Sequence, residues 1–322
     1  MNPALDAVPI LILYPHSRCN CRCIMCDIWK DSTKAEISAA ELERHLLDIQ
    51  RLSVRWVVLS GGEPLMHSDL FRLCSLLKER HIRVTLLSTG LLLERNAAGI
   101  VNFIDDVIVS LDGPAAIHDD IRRVVGAFAL LEKGIQAIHR LQPAFPISAR
   151  STVQRRNYRY LRQTAVAAKR LGLESISFLA ADVTSPAFNR ADGWDSTRQA
   201  EIALTESDIE ALEQEIGELI GEWGTSGFVR EGPEKLDRIV RHYRAHLGLC
   251  SPVAPQCNAP WVSAVIESDG SVHPCFFHKT IGNLYGRGLA EVLNGPEAQH
   301  FRKQLDIAAN PVCQRCVCSL SL

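Results

Sequence analysis

Six short apolar runs constrain this chain most: residues 10–14, 55–60, 82–87, 106–111, 146–153 and 175–180. Each ends in polar or glycine residues, such as Ser60-Gly61-Gly62, Ser88-Thr89-Gly90 and Asp112-Gly113-Pro114. Between them, residues 38–52, 70–79, 127–141 and 158–171 carry helical periodicity. Ser38-Ala39-Ala40-Glu41 reads as a capping box opening the first of these helices. Strands alternating with helices fold as parallel βα units. In such folds ligands bind at the C-terminal edge of the strands, where these polar residues gather.

Beyond residue 181 the pattern changes. Residues 182–203 are polar and irregular and are expected to form a loop over the barrel mouth. Residues 205–223 predict a helix with Thr205 as N-cap and an apolar stripe of Ile209, Leu212, Ile216, Leu219 and Ile220. Residues 233–247 predict another. Further on, 262–266 and 272–276 flank Asp269-Gly270 and read as a hairpin. We expect three parts: 1–185, a helical connector at 186–249, and a small domain at 250–322.

Net charge is −2, which gives no reason to expect a nucleic-acid partner. No apolar stretch is long enough for a bilayer, and Met1-Asn2-Pro3-Ala4 lacks a basic n-region, so we expect a cytoplasmic protein without a membrane anchor. The chain has eleven cysteines gathered towards its two ends, a distribution that reads as metal sites in a reducing compartment.

Cys19, Cys23 and Cys26 form C-x3-C-x2-C directly after the first apolar run. A loop of that length aims three thiolates at one point, which suits an iron–sulfur cluster or zinc. A structural zinc needs a fourth ligand, for which His16 and Cys21 are at hand. Cys74 falls on an apolar helix face and is expected in the core.

This loop after a first strand resembles the signature of the radical S-adenosylmethionine enzymes, with Met25 where the family usually has an aromatic residue. Gly61-Gly62-Glu63-Pro64 is similar to the family's GGEP motif. The resemblance implies a partial (β/α)6 barrel of α/β class and a [4Fe–4S] cluster on Cys19, Cys23 and Cys26. It also implies reductive cleavage of S-adenosylmethionine to a 5′-deoxyadenosyl radical, with a flavodoxin- or ferredoxin-type electron donor. Gly61, Gly62, Glu63 and Pro64 are then expected to bind the methionine amino end. Ser88, Ser110, Asp112 and Arg150 are the other candidate cofactor contacts, with caps, turns and salt bridges as their plainer roles. Ser110-x-Asp112-Gly113-Pro114 with His118-Asp119-x-x-Arg122 resembles a run of the subgroup with C-terminal auxiliary clusters.

Cys257-x12-Gly270-x4-Cys275, followed by Cys313-x2-Cys316, resembles a twitch or SPASM domain. The resemblance implies a second [4Fe–4S] cluster on Cys257, Cys275, Cys313 and Cys316; four thiolates also suit zinc. Cys250 and Cys318 are left over, and Cys250 is the candidate hydrogen-atom donor should the reaction be an epimerisation. We expect a radical oxidoreductase acting on a small molecule of sugar, aminocyclitol or nucleoside type, with the auxiliary cluster accepting an electron. An epimerase, a peptide maturase and a non-enzymatic iron–sulfur or zinc scaffold are the alternatives.

Overall fold

A computed structural model describes residues 3–190 and 192–322. The six expected strands form, as β1 (Ile10–Leu13), β2 (Trp56–Leu59), β3 (Arg83–Ser88), β4 (Asp106–Ser110), β5 (Ile147–Val153) and β6 (Ile176–Ala180). Each pairs in parallel with the next. Their side chains alternate between two environments, as the pleat requires. Leu11 and Leu13 of β1 face the helices, whereas Ile10 and Ile12 face inwards. Helices α1 (Ala39–Arg51), α2 (Leu70–Lys78), α3 (Leu93–Phe103), α4 (Ala115–Arg122), α5 (Ala127–Leu141) and α6 (Leu161–Arg170) accompany these strands. The Ser38 hydroxyl accepts from the Glu41 N–H at 3.1 Å and starts α1 as its sequence requires.

The sequence pattern missed α3 and α4. Helix α3 contains Asn96, Gly99 and Asn102, all weak helix formers, and its N-cap Leu92 makes no side-chain cap. Gly99 is there for packing: a Cβ would stand 2.3 Å from the Phe71 ring. Helix α4 is short and ends at Arg123, whose φ of 53° reverses the chain.

Residues 182–203 are more ordered than expected and include α7 (Ser196–Ile202). Then come α8 (Glu206–Trp223), opened by a complete Thr205–Asp208 capping box, and α9 (Pro233–His246). The hairpin β7 (Ser263–Ile266) and β8 (Ser271–His273) turns at Gly270, where φ is +81°. It does not form a separate layer. Strand β7 pairs in parallel with β1, and β9 (Gly282–Asn283) follows β8, giving one open nine-stranded sheet in the order β6-β5-β4-β3-β2-β1-β7-β8-β9. The C-terminal segment is thus welded to the barrel. Buried Arg302 adds to this by donating to the Pro3 and Leu293 carbonyls at 2.6 and 2.5 Å. Among the described residues no helix is long and apolar enough to cross a membrane.

Candidate active site

The loop carrying Cys19, Cys23 and Cys26 is fixed from three sides. Its start is held by His16, whose Nδ1 accepts the Arg18 N–H at 2.9 Å while Nε2 donates to the Glu63 carbonyl at 2.6 Å. Both ring nitrogens are occupied, so His16 has no lone pair left for zinc. Its middle is pinned to the end of α4 by Arg22 N–H to Arg122 O (3.2 Å) and Ile24 N–H to Ile121 O (3.1 Å). Its far side is clamped by residues beyond β6. Arg190 donates to the Met25 carbonyl at 2.6 Å and Arg198 to that of Ile24. Trp194 donates to Asp27 at 2.7 Å, and the Arg190 guanidinium lies 3.6 Å from the Trp194 ring centre. Sequence reasoning saw only polar residues here, because this clamp exists solely through contacts of long sequence separation.

Burial pushes Cys19 and Cys26 up to about 12; the charge of Cys23 raises both further, and that of Cys26 adds to the rise of Cys19. Cys23 goes the opposite way: the Cys21 thiol donates to it, which lowers Cys23 and raises Cys21, and the Arg122 guanidinium, 3.4 Å from Cys23 Sγ, lowers it further. Cys21 is therefore committed to Cys23. Among the described residues no three side chains converge as ligands of one ion. A four-iron cluster offers each thiolate a separate iron, so it sets no such requirement.

The GGEP residues are tied to this loop. A Cβ on Gly62 would stand 1.9 Å from the Arg18 carbonyl, and one on Gly61 (φ +95°) 2.8 Å from the Tyr14 ring. The glycines thus admit the protein's own backbone and Tyr14. Glu63 does not offer a free carboxylate. It is wholly buried and accepts from Leu65 N–H (3.1 Å), Ser88 Oγ (3.0 Å), Thr89 N–H (2.7 Å) and Thr89 Oγ1 (2.6 Å). Burial raises its pKa, partly opposed by the Thr89, Leu65 and Ser88 hydrogen bonds. Glu63 staples the turn after β2 to the end of β3. Glu63→Gln puts an NH2 against these donors and is expected to cost about 1–3 kcal/mol. The urea midpoint of the variant measures this; an unchanged midpoint would refute the staple.

Other strand-end candidates divide. Ser88 belongs to the Glu63 staple. Asp112 is likewise committed: Oδ1 accepts the Thr152 N–H at 2.9 Å, and Oδ2 lies 2.5 Å from Arg122 Nη2. Asp112, Arg122 and Cys23 therefore form a buried chain, in which the carboxylate holds a cation against a cysteine. Ser110 is half-buried opposite Arg150. Polar groups the sequence did not single out do remain open at this edge. Asn20 Nδ2 and the side-chain amide of fully buried Gln154 lack partners among the described residues. A polar cofactor at the strand edge fits these unmet donors and acceptors.

A cavity of about 630 Å³ occupies the barrel interior. Its wall includes Ile10, Ile12, Trp56, Val58, Leu87, Ile108 and Val265 from the inward strand faces. Its lining also includes Cys257, Cys275, Cys313, Cys316 and Cys318, so all four expected C-terminal ligands face one cavity with Cys318. Cys316 donates to the Cys318 carbonyl at 2.9 Å. The loop thiols lie beyond the cavity wall. Tyr14 links the two sets, packing its ring on Phe276 and feeling both Cys26 and Cys318. Arg150 projects into this cavity near Cys318 and Glu231. Cys250 is not brought to it. Gly248 (φ +74°) turns the chain away after α9, and Cys250 lies in a separate depression with its sulfur 3.8 Å from the Arg241 carbonyl.

Solved structures share this architecture. SuiB of Streptococcus suis, bound to S-adenosylmethionine, superposes with a TM-score of 0.68 at 14% identity, covering 98% of this chain and 74% of that one. The anSMEcpe structure with bound AdoMet gives 0.68 at 20% identity, covering 95% and 86%. By sequence, an AdoMet-dependent heme synthase of Methanosarcina barkeri is 31% identical over 52% of this chain and 50% of its own length. The chain thus aligns with only half of that relative. A pre-heme d1 synthase of Dinoroseobacter shibae is 26% identical over 90% of this chain and 74% of its own. The mycofactocin maturase MftC of Mycobacterium ulcerans is 26% identical over 80% and 66%. Residues 13–168 match the family model of the radical SAM superfamily, and residues 257–317 that of the SPASM iron–sulfur cluster-binding domain. The chain therefore carries a radical SAM domain, which implies S-adenosylmethionine and a [4Fe–4S] cluster as cofactors, followed by a SPASM domain that implies auxiliary iron–sulfur binding.

Proposed function

We propose that the protein oxidises an apolar, carboxylate-bearing substrate by hydrogen-atom abstraction from an unactivated carbon. Cys19, Cys23 and Cys26 hold the catalytic cluster. Cys257, Cys275, Cys313 and Cys316 hold the auxiliary one, with Cys318 as a fifth thiol beside them. When bound, the cofactors would supply hydrogen abstraction and one-electron acceptance. The protein's own part is to bind and orient the substrate between them and keep water out.

The cavity carries this reading. An apolar wall offers a sugar or aminocyclitol few partners for its hydroxyls, which argues against the substrate class expected from sequence. Around that wall stand Arg150, Lys235, Arg238, Arg241 and Arg315, with Glu231 as the one acid. None of the five cations is in an ion pair among the described residues. Arg150 has only a 3.4 Å contact to Ser177 Oγ, and Arg238 a 3.4 Å contact to the Cys316 carbonyl. Unpaired guanidinium groups beside an apolar surface favour carboxylates on an apolar body. A tetrapyrrole with propionate side chains has that form, and the relatives named for heme and pre-heme d1 synthesis support it. A peptide substrate is the second reading, favoured by the maturase similarity across 80% of this chain.

The test supplies reconstituted enzyme with S-adenosylmethionine, a low-potential reductant, and either iron coproporphyrin III or its tetramethyl ester. The acid should stimulate 5′-deoxyadenosine formation and lose mass; the ester should do neither. Arg150→Met should raise KM for the acid about 10- to 100-fold, the equivalent of losing a charge-assisted hydrogen bond. Stimulation by acidic peptides and not by the acid would move the reading to a maturase.

A further inference from the structure

The C-terminal thiols differ in what donates to them. Cys257 Sγ accepts the Ala259 N–H at 3.5 Å, and Cys275 takes the N–H groups of Phe277 and His278. Cys313 meets an imidazole instead: His278 Nε2 stands 3.4 Å from its sulfur. Among the described residues this is the one side-chain donor on any of the four expected ligands. Neither end of the contact is loose. The His278 carbonyl accepts from His273 Nδ1 at 3.0 Å, which fixes the backbone after β8. Its half-buried ring lies edge-on to Phe301, with centroids 4.8 Å apart. On the other side, Cys313 sits in the short helix Pro311–Gln314, whose cap Asn310 accepts the Cys313 N–H at 3.2 Å. One residue thus serves a thiol of the hairpin through its backbone and a thiol of the tail, 35 positions on, through its ring.

We propose, on the reading that these thiols hold the auxiliary cluster, that His278 positions Cys313 and raises the reduction potential of that cluster. A thiolate bound to iron has only lone pairs to offer, so Nε2 carries the proton and donates. Reduction adds negative charge, part of which falls on the ligating sulfurs. An N–H aimed at one of them therefore stabilises the reduced state more than the oxidised one. The cluster becomes the better acceptor for the electron that the substrate radical gives up. In this role His278 acts through Cys313 and is a positioning residue, as Arg122 is for Cys23 in the first set.

The experiment uses reconstituted holoenzyme. It compares His278→Leu, which removes the donor, with His278→Gln, whose amide nitrogen stands where Nε2 does. Iron is counted, and each cluster is followed by electron paramagnetic resonance in a redox titration. S-adenosylmethionine binds only the cluster with an iron free of protein ligands, so the signal it leaves unchanged is the auxiliary one. In His278→Leu the auxiliary midpoint should fall by about 59 mV, a tenfold change in a one-electron equilibrium. In His278→Gln it should stay near the wild-type value, and the catalytic midpoint should be the same in all three proteins. A His278→Leu midpoint equal to that of wild type overturns the proposal, as does an equal fall in both variants. Loss of the auxiliary signal with half of the iron in both variants would make His278 itself a ligand and overturns it too. A wild-type enzyme in which S-adenosylmethionine alters every signal would sink the auxiliary-cluster reading, and the proposal with it.

Discussion

Replacing Cys19, Cys23 and Cys26 together by Ala is expected to abolish S-adenosylmethionine cleavage while leaving about four irons per chain on the C-terminal thiols. The two thiol sets stand on separate supports. The first is held by His16, Arg122, Arg190 and Arg198. The second lies on the hairpin and the C-terminal tail, across the cavity. Removing the first set should therefore not unravel the second. The three side chains are short, and each gives up only its thiol on truncation to Ala. Their loss leaves no unpaired charge except at Arg122, which keeps Asp112. Iron and sulfide analysis with a 5′-deoxyadenosine assay measures both halves of the expectation. Retained cleavage in the triple variant would end the assignment of the loop; loss of all iron would show that the two sets depend on each other.

Much of this was legible because it is local. A strand is announced by a few consecutive residues, and all six barrel strands form within a residue or two of the expected bounds. The capping residues Ser38 and Thr205 act within one helical turn and both accept an N–H as caps, although Glu41 turns to Arg44 and His45 instead of completing the expected box at Ser38. The cysteine spacings are local too, and the four expected C-terminal ligands all line one cavity. Partnerships over long separations were not legible. Nothing near Glu63 in the sequence says that Ser88 and Thr89 occupy its carboxylate. Cys250 looked close to the C-terminal ligands by number, yet one glycine turn carries it to another face, while Cys318 arrives from the tail. The parallel pairing of β7 with β1 joins residues some 250 positions apart, so the C-terminal hairpin reads as a separate domain until it is seen in the sheet.

The largest stability effect is expected at Asp112. Arg122 is buried and serves two anionic partners, the Asp112 carboxylate at 2.5 Å and the Cys23 sulfur at 3.4 Å. Asp112→Ala leaves that guanidinium in the core without its carboxylate and orphans the Thr152 N–H that Oδ1 now accepts. Breaking one side of a buried ion pair costs about 3–5 kcal/mol, far more than the pair adds over a well-packed apolar substitute. The double variant Asp112→Ala/Arg122→Met should therefore recover much of the loss, with urea unfolding of the four proteins of the cycle giving the coupling. Recovered stability would not mean recovered positioning. Arg122 also presents its backbone carbonyl to Arg22 N–H, and among the described residues its side chain is the one cation that donates to a loop thiol. Without it, the electron paramagnetic resonance spectrum of the reduced cluster should shift even in the stable double variant, because hydrogen bonds to a ligating sulfur tune the iron's electronic environment. A single Asp112→Ala variant as stable as wild type would refute the buried chain. An unshifted spectrum in the double variant would confine Arg122 to a packing role.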